Sequence, residues 1–110
     1  MGEMVTFASN GHDARGYLAV PDTGSGPAVM VIQEWWGLNP QMKGVADFLA
    51  GQGFVALAPD LYHGELAGHD EMDKAGQLMT DLPPERAARD MSGAVDFLAT
   101  HQANSAGGVG

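Results

Sequence analysis

The stretch Pro27 to Pro40 constrains this chain more than any other. It reads Pro-Ala-Val-Met-Val-Ile-Gln-Glu-Trp-Trp-Gly-Leu-Asn-Pro. It opens with a short, continuous apolar run rich in β-branched residues, the pattern of a strand buried on both faces of a parallel sheet. Glu34, two indoles and Gly37 then interrupt the run. Asn39-Pro40 reads as a helix N-cap followed by proline in the first helical position. Glu34 therefore falls where a buried strand ends and a helix is about to begin, the edge at which open α/β sheets bind ligands. An acid at that edge, set against Trp35 and Trp36, is expected to be mostly buried and is a candidate for chemistry.

The elements around this stretch follow from local signals. Met4 to Ala8 and Arg15 to Val20 read as strands, and the Asn10-Gly11 pair between them is a hairpin signal. Pro21 to Pro27 reads as a loop. Its Gly24-Ser25-Gly26 precedes a strand and opens no helix, so it is not a phosphate-binding loop. The third strand is expected over Ala28 to Gln33. A helix follows from Pro40 to about Gln52, with Met42, Val45, Ala46 and Leu49 on one apolar face and Gly51 or Gly53 ending it. Phe54 to Ala58 is a second buried strand, closed by Pro59-Asp60. An irregular loop from Leu61 to His69 leads to a short acidic helix over Asp70 to Met79. A longer helix is expected from Pro84 to His101, with Ala87, Ala88, Met91, Ala94, Val95 and Leu98 inward. Asn104 to Gly107 reads as a turn, and Gly108-Val109-Gly110 as the start of a further strand. A hairpin followed by alternating strands and helices predicts an α/β sheet, antiparallel at its start and parallel afterwards.

Composition narrows the functions open to such a fold. At 110 residues and 45% hydrophobic content the chain can build one small packed domain. Its formal net charge of −9 repels phosphate backbones and anionic lipid, which argues against nucleic-acid and membrane partners. There is no cysteine, hence no disulfide and no thiolate metal site. The start, Met1-Gly2-Glu3-Met4-Val5-Thr6, matches a myristoylation pattern but has no basic patch as the second anchor. A cytoplasmic protein is the expectation.

Three blocks together, Gln33-Glu34-Trp35-Trp36-Gly37-Leu38-Asn39, Gln52-Gly53-Phe54-Val55 and Ala58-Pro59-Asp60-Leu61-Tyr62, resemble the dienelactone hydrolase family of α/β-hydrolases, in residues and in spacing. The resemblance covers nearly the whole chain. It implies hydrolysis of a small-molecule lactone or ester through a Cys-His-Asp triad, with the cysteine on a Gly-x-Cys-x-Gly elbow and neither metal nor organic cofactor. It gives Glu34 the role of modulating the nucleophile and gives the backbone N–H of Trp35 a place in the oxyanion hole. Trp36 and Tyr62 are read as substrate-binding walls of the pocket. No residue here can be that cysteine. On this resemblance residues 1–110 are the N-terminal portion of a single α/β-hydrolase domain, incomplete and truncated at the start of the strand that leads to the elbow. The nucleophile and the triad His and Asp are then expected beyond residue 110. The 110 residues alone are expected to be inactive, and to self-associate through an uncovered edge at Val29 to Ile32.

The remaining polar residues have plainer readings. Asp60 reads as a turn acceptor. His63, Glu65, His69, Asp70 and Asp73 match no metal-ligand spacing and read as a solvated loop. Arg86 and Arg89 read as exposed, with a substrate-carboxylate role as the alternative, and His101 as a complement to a helix C-terminus. A rival from another class is a flavodoxin-like, non-enzymatic binding or signalling domain, with Glu34 and Asp60 forming an acidic pocket at adjacent strand ends.

Overall fold

The hairpin forms as its turn residues dictate. Strands β1 (Glu3–Ser9) and β2 (His12–Ala19) are joined by Asn10 and Gly11, both at positive φ, +48° and +85°. That two-residue turn has the twist that antiparallel strands need, and Ser9 pairs with His12 across it. The computed structural model describes residues 2–110, so Met1, where the myristoylation pattern begins, lies outside them. Beyond the hairpin come β3 (Gly26–Met30), helix α1 (Pro40–Gly51), β4 (Val55–Pro59), α2 (Met72–Asp81), α3 (Pro84–Ala99) and β5 (Asn104–Val109). The sheet order is β1-β2-β4-β3-β5. β2 pairs antiparallel with β1 and β4, whereas β3 pairs parallel with β4 and β5. This is the expected fold: an antiparallel opening, then parallel strands with flanking helices.

Strand β4 is central, and every one of its residues is buried. Its side chains alternate between two cores, as the strand period requires. Val55 and Leu57 pack with Phe7, Leu18, Ala94 and Leu98 on the α3 face. Ala56 and Ala58 pack with Val31, Met42 and Ala46 on the α1 face. The small residues on the second side let α1 lie close to the sheet. α1 begins where Asn39 caps it, the Asn39 side chain accepting from the Met42 N–H at 3.0 Å, with Pro40 first in the helix. It ends in a Schellman arrangement: the Gly53 N–H donates to Ala50 O and the Phe54 N–H to Leu49 O, with Gly53 at φ +99°.

Several expectations need correction. Strand β3 runs from Gly26 to Met30, so it begins within the expected loop and ends before Gln33. The central apolar run is not buried throughout: Ala28 is buried, Val29 and Met30 are half-buried, and Ile32 is 47% exposed. Tertiary position decides this, because the run leaves the sheet after the Val31 N–H donates to Leu57 O at 2.8 Å. The face of α1 toward the sheet holds Met42 and Ala46, while Val45 faces solvent beside exposed Phe48. On α3 the buried positions are Asp90, Gly93, Ala94 and Leu98, with Ala88 and Val95 outward. The helix is rotated because Gly93 fits against β1: a Cβ there would lie 2.5 Å from Ala8 O.

The C-terminal turn is also a strand. Asn104 Oδ1 accepts from the Ala106 and Gly107 N–H groups, and Gly107 sits at φ +77°, so the segment is a turn held within β5 as a bulge. Pairing then resumes, the Gly110 N–H donating to Ala28 O and the Met30 N–H to Gly110 O. The edge expected to be bare at Val29 to Ile32 is therefore covered as far as Met30, since the strand that pairs with β3 starts at Asn104.

Gly93 gives a test in which two effects have opposite signs. Alanine favours a helix over glycine by about 1 kcal/mol, but overpacking against a backbone carbonyl costs about 1–3 kcal/mol. Gly93→Ala is expected to lower the chemical-denaturation stability, and a stabilised variant would show that α3 can move off β1 freely.

Candidate functional site

The carboxyl ends of β3 and β4 lead into two loops that are bonded to each other. After β3, Gln33 Oε1 accepts from the Leu61 N–H at 3.0 Å. Residues Glu34 to Gly37 then form a tight turn in which the Gly37 N–H donates to Glu34 O at 3.3 Å. Gly37 is required twice over. Its φ is +91°, and a Cβ there would lie 2.7 Å from Glu65 O and 3.2 Å from the Tyr62 ring. The Ala67 N–H donates to Trp36 O at 3.0 Å and closes the seam.

This seam decides where the anticipated site residues fall. Glu34 lies past the carboxyl end of β3, the expected edge of the sheet, but it is exposed and not mostly buried. The turn lifts it off the sheet end, so the carboxylate meets water. Trp35 is 46% exposed, and its backbone N–H donates to no carbonyl among the described residues. Trp36 is half-buried, and its ring meets that of His69 edge-on with centroids 4.8 Å apart. Tyr62 is buried beneath Gly37, its hydroxyl has no hydrogen-bond partner among the described residues, and burial pushes the phenol pKa up. Tyr62 is thus a support under the turn, while Trp35 and Trp36 stand above it. An open depression of about 460 Å³ beside the turn is lined by Asn39, Pro40, Leu66 and His69, among others.

The loop after β4 is held by two carboxylates. Asp60 is the turn acceptor expected, its Oδ2 taking the Gly64 N–H at 2.7 Å, while its buried Oδ1 has no partner among the described residues. His63 has φ +53° and Gly64 has φ +93°. The left-handed region costs a non-glycine residue roughly 1–2 kcal/mol, so His63 needs a compensating contact. It has one: Nε2 donates to Asp90 Oδ2 at 2.6 Å. His63 is therefore no free member of a solvated loop. Asp90 is 0% exposed and also accepts from Ser9 Oγ at 2.7 Å, with Arg89 Nε 3.5 Å away. Burial pushes the Asp90 pKa up. The hydrogen bonds from Ser9 and His63 and the charges of His63 and Arg89 outweigh it and hold the carboxyl below its ordinary value.

Arg86 and Arg89 are half-buried, not exposed. Arg86 Nη2 donates to Leu61 O at 3.1 Å, and Arg89 Nε donates to Ser9 Oγ at 3.3 Å. Both guanidinium groups are thus engaged in holding the protein together. His101 lies just past the end of α3, with Nδ1 accepting from the Ala103 N–H. Among the described residues no group of three or more His, Cys, Asp or Glu is arranged to hold a metal ion.

The Ser9–Asp90–His63 network was missed by the sequence reading. A signal was present: Asp90 is four residues before Ala94 and eight before Leu98, in phase with the buried side of α3. An acid in that stripe must find partners when it is buried. Nothing local to it names Ser9 or His63, which lie 81 and 27 residues away.

The mixed sheet, the antiparallel opening and a capped helix following a turn at the carboxyl end of β3 define part of an α/β-hydrolase fold. The solved structure m3DLH has this arrangement, with a TM-score of 0.78 at 27% identity over 99% of this chain and 47% of that one. The model of the dienelactone hydrolase family matches residues 14–110, so the chain belongs to that family. Protein usf of Aquifex pyrophilus is 47% identical over 104 residues, covering 89% of this chain and 44% of that protein. The carboxymethylenebutenolidase of Pseudomonas sp. (strain P51) is 41% identical over 91 residues, covering 76% of this chain and 38% of that protein. The chain thus spans less than half the length of each of these relatives. Membership of this family sets the flavodoxin-like alternative aside.

Asp90 supplies a stability test. Asp90→Ala strips the buried Ser9 hydroxyl and His63 of their acceptor, and hydrogen bonds to a charged group contribute about 1.5–3 kcal/mol each, so it is expected to be among the most destabilising substitutions. Because its folded pKa is depressed, the stability it contributes is present above its ordinary value of 3.8 and is lost as the pH falls through the folded value. Urea titrations repeated from neutral to strongly acidic pH should show this loss in the parent chain. Asp90→Asn should start lower and lack that acid limb.

Proposed function

We propose that residues 1–110 are the N-terminal portion of a single α/β-hydrolase domain that hydrolyses carboxylic esters or lactones through an acyl-enzyme. The nucleophile and the triad His and Asp lie beyond residue 110 in this reading. The observation that carries it is the Glu34–Gly37 turn at the carboxyl end of β3, with the Trp35 N–H unengaged, in a chain of the dienelactone hydrolase family. A thiolate delivered to this edge attacks the carbonyl carbon, and the carbonyl oxygen takes the negative charge and accepts a hydrogen bond from the Trp35 N–H. Expulsion of the alkoxide leaves a thioester, and water releases the acid. Glu34 tunes the proton of the nucleophile, and Trp36 forms a wall against the apolar part of the substrate. Tyr62 acts at one remove, through Gly37, instead of lining the pocket directly.

The exposure of Glu34 fits this reading, because a thiol brought to the turn would cover the carboxylate and share its proton. No metal or organic cofactor enters the mechanism. The reading keeps a cytoplasmic protein as its default, and a net charge of −9 argues against nucleic-acid and membrane-surface partners. No helix among the described residues is long and apolar enough to cross a membrane.

Two experiments test the proposal. The purified 110-residue chain is expected to turn over p-nitrophenyl acetate no faster than background. The chain continued through its own downstream coding sequence should contain a Gly-x-Cys-x-Gly segment and hydrolyse that ester. Glu34→Gln in the continued chain should lower kcat/KM by about 10²-fold, the lower range for a group that moves a proton in the transition state. Turnover by the 110 residues alone, abolished by Glu34→Gln, would overturn the mechanism. The second experiment concerns the uncovered surface. The outer edge of β5, together with the apolar side chains Ile32, Val45 and Phe48 exposed elsewhere on the surface, is proposed to drive self-association of the 110 residues. Analytical ultracentrifugation should show oligomers, and a monomer with one sharp thermal transition would count against an incomplete domain.

A further inference from the structure

We propose that His63 and Asp90 are positioning residues for the Trp35 backbone donor. The inference rests on the reading of Trp35 given above, and it adds a route by which helix α3 orders the turn. Asp90 is wholly buried on α3, anchored by Ser9 from the end of β1, and it holds His63 Nε2 at 2.6 Å. That contact fixes the loop after β4 with His63 at φ +53° and Gly64 at φ +93°. A side chain left without it has every reason to return to the common right-handed or extended regions.

The same loop is the surface on which the turn rests. Leu61 donates its N–H to Gln33 Oε1, Ala67 donates to Trp36 O, and Glu65 O and the Tyr62 ring close the space over Gly37. Gln33, Trp36 and Gly37 bracket Trp35, so a shift of residues 61–67 moves the direction of its N–H. An oxyanion donor acts only when it is aimed before the charge develops. From outside the turn, the Asn39 N–H at the cap of α1 donates to Gly37 O at 2.9 Å, and the Ala67 N–H in the loop after β4 donates to Trp36 O at 3.0 Å. The bond on Trp36, next to Trp35, thus comes from this loop, which is held by Asp90 on His63 together with Asp60 Oδ2 on the Gly64 N–H and Arg86 Nη2 on Leu61 O.

The test uses substitutions that separate positioning from stability. His63→Gly removes the clip and at the same time relieves the left-handed backbone, so overall stability should change little. His63→Gln keeps an N–H donor at the position of Nε2 and serves as the rescue. Amide hydrogen exchange is read on the chain continued through its own downstream coding sequence, at the Gly37 and Ala67 N–H groups, with Leu18 and Leu57 in the sheet as the reference. His63→Gly is expected to speed exchange at Gly37 and Ala67 by about tenfold or more, to leave Leu18 and Leu57 unchanged, and to alter the Trp35 and Trp36 fluorescence. His63→Gln should restore most of the protection. Asp90→Asn should reproduce the effect of His63→Gly at the turn. Unchanged exchange at Gly37 and Ala67 in His63→Gly would overturn the proposal. So would equal acceleration at all four amides, or a parent chain with no protection at Gly37 and Ala67. These readouts report order at the turn and not turnover, so a continued chain without esterase activity would refute the proposed function and leave the coupling intact.

Discussion

The covering of β4 on both faces is the constraint on which the rest of the structure depends. A strand with apolar side chains on alternate faces is stable only where a layer lies on each side. Val55 and Leu57 require α3, and Ala56 and Ala58 require α1. The choice of small residues on one side and larger ones on the other sets how near each helix lies. Gly93 does the same from the helix, by letting α3 come against Ala8. With both helices placed, the carboxyl ends of β3 and β4 are side by side, and the loops that leave them have no choice but to meet.

That meeting converts a scaffold into a site. The turn from Glu34 to Gly37 makes one internal backbone bond and is supported from outside by the Asn39 N–H at the cap of α1 and by the loop after β4. The loop in turn is held in an uncommon backbone conformation by Asp60 and Asp90. A buried carboxylate is costly unless its oxygens are satisfied, and Asp90 accepts from two side chains on separate elements. The arrangement joins the start of the chain, the last helix and the strand-end loops through one ionised group. The strain is local, and the packing that resists it is distributed over the α3 face.

Much of the fold and the place of the site were legible in the sequence. Asn10-Gly11 set the hairpin, Asn39-Pro40 the start of α1, and the run Phe54 to Ala58 a buried strand, which the structure has as Val55–Pro59. The blocks around Glu34 and Asp60 carried the family. What failed were phases and exposures. Val45, Ala88 and Val95 are apolar at nearly helical spacing yet face water, because the nearest layer lies against the neighbouring stripe. Asn104 to Gly107 has the composition of a turn and makes one, but inside a strand whose pairing with β3 is a long-range event.

The sequence by itself determined the order of elements, their caps and turns, and the edge of the sheet at which Glu34 and Trp35 lie. These depend on residues within a few positions of one another, through backbone sterics, capping and apolar period. Only the tertiary structure decided that Glu34 is exposed, that Tyr62 lies beneath Gly37, and that Asp90 is the buried partner of Ser9 and His63. Those outcomes depend on which distant segments share a layer, and an acid's surroundings are set by that packing, not by its neighbours in the chain.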